Sequence, residues 1–115
     1  MTPMSDLSAS NPLHIVTHSG GFHADDVLAV ALLRAFVDPA ATVERTRDPA
    51  RIAAADVVVD VGGRYDPGTR RFDHHQRSYE GPLSSAGMVL TWLEAEQRVA
   101  GELAGRLRAD LVDYV

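Results

Sequence analysis

Four of the five histidines lie in two short segments, His18-Ser19-Gly20-Gly21-Phe22-His23-Ala24-Asp25-Asp26 and Asp73-His74-His75. A single loop histidine is ordinarily a solvated or packed side chain. Two clusters that mix imidazole with carboxylate, joined by Asp60 at the end of a β-branched run, make a constellation. Mn²⁺, Mg²⁺, Co²⁺ and Zn²⁺ accept nitrogen and oxygen donors together, so His18, His23, Asp25, Asp60, Asp73, His74 and His75 form a candidate site for divalent metal. Two such ions about 3.5 to 4 Å apart can activate water at neutral pH and neutralise charge on a phosphoryl oxygen during in-line attack. Asp60 is the residue placed to bridge them. The chain has no cysteine, which excludes disulfides and thiolate sites.

Arg64, Arg70, Arg71 and Arg77 gather around the second cluster as a local basic patch. An anionic substrate would profit from whichever of them faces the site, since a guanidinium pairs with phosphate through two parallel bonds. Ser84-Ser85-Ala86-Gly87 reads as a helix start. If that end points at the metals, its amides would bind a phosphate. Gly20-Gly21 and Gly62-Gly63 read first as turn residues, and they also let backbone approach a phosphate closely.

These clusters need elements to present them. Residues 13–17 have strand character and run into the Gly20-Gly21 loop. Over 25–37, Val27, Leu28, Ala31, Leu32, Ala35 and Phe36 recur at helical spacing. A short strand over 42–46 precedes Asp48-Pro49, a start signal for a helix reaching about residue 54. Val57-Val58-Val59, within 56–61, has the character of a strand buried on both faces of a parallel sheet. Tyr65-Asp66-Pro67-Gly68 predicts a type II turn and a hairpin returning over 71–74. From Leu83, the spacing of Met88, Leu90, Leu93, Leu103, Leu107 and Leu111 predicts two helices broken near Gly101. Strands alternating with crossover helices predict an α/β fold, three layers α/β/α around a mainly parallel sheet, with ligands at the carboxyl ends of the strands. Both clusters follow such ends.

A chain of 115 residues is expected to form one domain. Residues 1–12, with Pro3, Ser5, Ser8, Ser10 and Pro12, read as a flexible leader to a domain over 13–115. An apolar fraction of 45% and a charged fraction of 23% argue against disorder and coiled coil. No apolar run is long enough to span a bilayer and no signal core precedes the domain, so no membrane partner and a cytoplasmic location are expected. A net charge of -5 argues against tight non-specific binding to DNA. The oligomeric state stays open, a homo-oligomer included.

Five ordered segments carry a resemblance: Thr17 to Asp26, Asp60-Val61-Gly62-Gly63, Tyr65-Asp66-Pro67, Phe72-Asp73-His74-His75-Gln76-Arg77-Ser78, and Leu83-Ser84-Ser85-Ala86-Gly87. Together, from about residue 14 to the end, they resemble the melanocyte-proliferating-gene (Myg) family of the DHH phosphoesterase superfamily. The resemblance implies a DHH-type N-terminal domain in a metal-dependent hydrolase that acts as a 3′-to-5′ exoribonuclease on short RNA or related nucleotide phosphoesters. Two divalent ions are implied, Mn²⁺ foremost, with Mg²⁺, Co²⁺ and Zn²⁺ as alternatives. Members are also described as metal-dependent protein hydrolases. His18 and His23 would hold the first ion and Asp25 the second, with Asp60 bridging; His74 would be a ligand oriented by Asp73, and His75 would contact phosphate. Asp60, Asp73 and His75 form the catalytic set on this reading, and Arg77, Ser84 and Ser85 stand with His75 on the substrate side. The superfamily more often has a carboxylate where His23 stands, so His23 serves either as ligand or as substrate contact.

The superfamily also places a further metal-binding aspartate after the two helices, followed by a second, substrate-gripping domain. The chain ends at Val115, which predicts a truncated form with little activity of its own. Asp110 and Asp113 fall in an amphipathic pattern that turns them toward solvent. Two other readings stay open: a hydrolase of small phosphate compounds such as pyrophosphate or a cyclic dinucleotide, and a non-catalytic metal-binding domain.

Overall fold

The computed structural model describes residues 11–115, so residues 1–10 of the expected leader lie outside the described residues. Strands β1 (His14–Thr17), β2 (Thr42–Arg45), β3 (Val57–Val59) and β5 (Arg71–Phe72) run parallel. At one edge β4 (Tyr65–Asp66) pairs antiparallel with β5, and the order across the sheet is β2-β1-β3-β5-β4. Helix α1 (Ala24–Phe36) connects β1 to β2, and α2 (Pro49–Ala54) connects β2 to β3. The two connections travel in opposite directions, so right-handed crossovers put the helices on opposite faces. Helix α3 (Ser85–Ala95) packs beside α1, and α4 (Gly101–Asp110) packs against α3. The result is the expected three-layer arrangement around a mainly parallel sheet.

The strands alternate between two unequal cores. Leu13, Ile15, Val57, Val59 and Phe72 face α1 and α3, where they meet Leu33, Leu90 and Leu93. Val16 and Val58 point the other way, toward Ile52, Ala55 and Val61. The fully buried large side chains of the first core, such as Ile15, Leu33 and Phe72, each contribute about 1.5 to 3 kcal/mol. The second face is covered by one short helix, beside which lies an open groove of about 540 Å³ bordered by Arg47, Ile52, Val61, Arg64 and Arg71.

Local signals act as their chemistry requires. Asp38 follows α1, and its carboxylate accepts the amides of Leu13 at 2.8 Å and Ala40 at 2.9 Å. Asp48 caps α2 by accepting the Ala50 amide at 3.0 Å, with Pro49 at the first helical position. The hairpin forms, but its turn is not type II. Pairing of Asp66 with Arg71 leaves residues 67–70 as a four-residue loop, which is closed by a 3-10 turn over Pro67–Thr69. Arg70, at φ +58°, takes the left-handed position instead of Gly68. The returning strand ends at Phe72, so Asp73 leaves the sheet. Gly101 opens α4, and the break before it is the 96–100 segment with Gln97 at φ +58°. Leu103 and Leu111 are exposed, and it is Ala104 and Val112, with Leu107 partly buried beside them, that join the core. Among the described residues no helix is long and apolar enough to cross a membrane.

Candidate metal centre

The chain leaves β1 toward one edge of the sheet and leaves β3 toward the other, so a crevice opens between their carboxyl ends. His18 lies just beyond β1, Asp60 just beyond β3, and Asp73 to His75 just beyond β5. Asp60 adopts φ +60°, a left-handed conformation that costs a non-glycine residue about 1 kcal/mol and that aspartate tolerates better than most. Its amide is anchored to the Phe72 carbonyl at 2.9 Å, and its carboxylate stands between the two histidine clusters. Gly63, at φ +71°, donates its amide to Asp73 Oδ2 at 2.8 Å, which ties the β3 loop to the β5 loop. Farther along, Gln76 Nε2 donates to the Asp73 carbonyl at 2.8 Å, and the Leu83 amide donates to the Tyr79 hydroxyl at 2.9 Å. These bonds fix the segment that carries His74 and His75.

Imidazoles and carboxylates converge around Asp60. His18 is 2% exposed and has Nδ1 3.0 Å from the Ser19 carbonyl, a contact that turns Nε2 toward the carboxylates. That Nε2 lies 2.9 Å from Asp26 Oδ2 and 3.3 Å from Asp60 Oδ2, and neither contact satisfies it as a hydrogen bond. On the other side, His74 Nε2 is 3.1 Å from Asp25 Oδ2 and 3.4 Å from Asp60 Oδ1. His75 Nδ1 is hydrogen-bonded to Asp73 Oδ1 at 2.7 Å and lies 3.5 Å from Asp60 Oδ1. Two donor groups, His18-His23-Asp60 and Asp60-His74-His75, each have their donor atoms within 4.8 Å of one another and share Asp60. Burial, and then the charge of Asp25, push the Asp60 carboxyl above its ordinary value, against the lowering influence of His75, His18 and His74. Imidazole nitrogens and carboxylate oxygens converging from both sides of Asp60 are a donor set that fits a divalent ion on each side.

The structure redistributes several of the sequence-based roles. Asp25 accepts the Ser85 amide at 3.1 Å and the Ala86 amide at 2.7 Å, so a carboxylate of the chain itself occupies the positive end of α3. That end is not presented to a phosphate. Ser84 caps α3, accepting the Gly87 amide at 3.2 Å, and the fully buried Ser85 donates its hydroxyl to Asp60 Oδ1 at 3.4 Å. Asp73 orients His75, not His74, which instead faces Asp25 and Asp60. His23 stacks obliquely on His18, with ring centroids 4.7 Å apart. Asp110 and Asp113 are exposed, as the helical pattern implied.

The basic patch also divides. Arg64 pairs with Asp66 at 3.3 Å, and Arg71 donates to the carbonyls of Ile52 and Ala55, holding the end of α2 against β5. Arg77 is exposed and does not line the pocket at the crevice. That pocket, of about 280 Å³, is bordered by His18, His23, Asp60, Asp73, His75 and by Arg47, which sequence reasoning did not single out. Arg47 donates to the Ser19 carbonyl at 3.2 Å. Asp26 is also new to the site: 1% exposed, it accepts the His23 amide at 3.1 Å and Arg45 Nη1 at 3.2 Å. Its place at the end of the His18-to-Asp26 segment and its spacing, three residues after His23 in an N-terminal capping arrangement, are its sequence signals.

Residues 14–102 match the MYG1_exonuc family model, described as "Uncharacterised protein family (UPF0160)". The chain is 50% identical over 91 residues to the MYG1 exonuclease of Bos taurus, covering 78% of this chain and 23% of that protein. It is 41% identical over 124 residues to the MYG1 exonuclease of Mus musculus, with coverages of 96% and 32%. To the MYG1 protein of Chlamydia trachomatis serovar D it is 56% identical over 84 residues, 71% of this chain and 29% of that one. The chain thus spans about a quarter to a third of the length of these curated relatives. No solved structure matches it. With the family model covering residues 14–102, the chain belongs to the MYG1 exonuclease family.

Proposed function

We propose that this chain carries the metal centre of a DHH-type phosphodiester hydrolase that removes nucleotides from the 3′ end of short RNA with two divalent ions, Mn²⁺ foremost. The observation that carries the reading is Asp60, held in a left-handed conformation and shared by two separate imidazole-carboxylate groups. The names of the mammalian relatives, MYG1 exonuclease, support the choice of phosphodiester over other anions.

His18, His23 and Asp60 would hold one ion, and Asp60, His74 and Asp25 the other, with the Ser19 carbonyl orienting His18. When bound, the ions supply an activated water and neutralise charge on the phosphoryl oxygens. The chain's own residues supply orientation and proton handling. Asp73 fixes the proton on His75 Nδ1, leaving Nε2 of this 58% exposed side chain free to hydrogen-bond a phosphoester or exchange a proton with it. Arg47, at the pocket's rim, brings a positive charge to an otherwise acidic site.

The test is calorimetric titration with Mn²⁺ of the metal-free chain and of Asp60→Ala, followed by mononucleotide release from a 5′-labelled short RNA. Mn²⁺ binding that depends on Asp60, with stepwise shortening from the 3′ end, is the expected result. Undiminished Mn²⁺ affinity in Asp60→Ala would remove the site assignment. Release of free phosphate without mononucleotide would replace the nuclease reading by hydrolysis of small phosphate compounds.

A further inference from the structure

Phe22 is 75% exposed, although it is a large aromatic residue in the loop that also carries His18 and His23. Its ring is not loose. The Arg45 guanidinium carbon lies 4.1 Å from the ring centroid, within cation-π range. The same guanidinium donates to Asp26 Oδ2 at 3.2 Å and to the carbonyls of Gly20 and Gly21 at 3.3 and 3.2 Å. Asp26 Oδ2 in turn lies 2.9 Å from His18 Nε2. One continuous set of contacts thus runs from the candidate metal centre through Asp26 and Arg45 to the Phe22 ring. Half-exposed Val27, with Val30 and Val43, continues the apolar surface beside it.

An exposed apolar patch alone does not identify its occupant. Here its position narrows the choice. Phe22 directly precedes His23 in the chain, and the Arg45 beneath its ring is joined through Asp26 to His18, so the groove it borders lies next to a site proposed to hold a phosphoester. Aromatic rings that receive nucleobases do so by stacking, a contact that every base can make and that therefore suits an enzyme removing nucleotides without regard to sequence. We infer that Phe22, held by Arg45, is a stacking platform for the nucleobase of the nucleotide whose phosphate lies at the metal centre. This rests on the proposed function, and its test separates the two.

The Mn²⁺-loaded chain is titrated calorimetrically with adenosine 5′-monophosphate and with ribose 5-phosphate, which has the same phosphate and sugar and no base. The expected preference for the nucleotide is on the order of ten-fold. Phe22→Ala should erase it while Mn²⁺ affinity is retained, and Phe22→Leu should erase it as well, because leucine keeps apolar bulk without a π-face. Phe22→Trp should preserve the preference and place a second indole, besides the buried Trp92, whose emission the nucleotide quenches. An undiminished preference in Phe22→Ala or Phe22→Leu, or emission of Phe22→Trp unmoved by saturating nucleotide, would overturn the platform. Equal affinity of the wild type for both compounds would also overturn it while leaving the hydrolase intact. Mn²⁺ binding with no affinity for either compound would remove both.

Discussion

The same three strands build the most apolar and the most charged regions of this molecule, only a few residues apart. Ile15, Val57, Val59 and Phe72 enter a closed core beneath α1 and α3, whereas His18, Asp60 and Asp73, just beyond the strand ends, crowd charged groups into a crevice from which much of the solvent is excluded. In the first region every contact favours folding. In the second, burial and like charges oppose it, and Asp60 adds backbone strain. The contrast teaches that the core supplies stability which the site draws on.

The sharpest way to test that contrast is Asp60→Asn, where the largest effects are expected and with opposite signs. Asparagine suits a left-handed backbone but offers no charge to share between two ions. Mn²⁺ binding should be lost, while the melting temperature in chelator should rise at neutral pH. The sign follows from the raised carboxyl: ionising Asp60 disfavours the folded chain in full above the raised pKa, and this cost shrinks as the pH falls from there toward the ordinary value, below which it is gone. The stability gap between variant and wild type should therefore close on acidification. A variant that melts lower than wild type in chelator at neutral pH would contradict the account.

Within the folded framework, Phe72→Ala should cost about 3 to 5 kcal/mol in urea unfolding, since it empties the closed core. Ile52→Ala, on the face covered by one short helix, should cost clearly less, because Ile52 is only partly buried beside an open groove. Comparable losses would mean that the two faces are energetically alike. Asp73→Asn should reduce mononucleotide release about 10- to 100-fold with little change in stability, since the substitution weakens the hold on His75 while its side-chain oxygen can still accept the Gly63 amide. Unchanged turnover would deny His75 its role.

The smallest effect belongs to Glu44→Gln on the edge strand β2. The Arg51 hydrogen bond holds the Glu44 carboxyl below its ordinary value, so the pair supports folding above that ordinary pKa and the support is lost as the pH falls through the lowered one. Both side chains reach solvent, and the difference in melting temperature should be slight and vanish in about 0.5 M salt. A large shift would make β2 a stability determinant equal to the core.

Much of the fold could be read along the chain because its signals are local. Three consecutive valines specify a strand buried on both sides, and Asp48-Pro49 starts a helix through its own capping bond. The turn after Asp66 could not be read so, because its type depends on the β4-β5 register, which Pro67 and Gly68 do not encode. Leu103 and Leu111 marked the last helix correctly but not its buried side, since both are exposed. Helical spacing marks an apolar stripe, yet which part of it is covered depends on how closely a neighbouring helix approaches.

The sequence by itself determined the kind of chemistry at hand: imidazole and carboxylate in two clusters, no thiol, and strands whose ends would carry them. Only the tertiary structure decided which donors meet. Pairing of Thr17 with Arg45 brings the end of β2 beside His18, which is how Arg45 and Arg47 join the site from positions with little sequence signature. Folding α3 against α1 delivers the Ser85 and Ala86 amides to Asp25, sixty and sixty-one residues away, and so turns an expected phosphate site into a brace for a carboxylate. Residue type is a local property and fixes what a group can bind. Partnership is set by strand order and helix packing, where distance along the chain carries no information about distance in space.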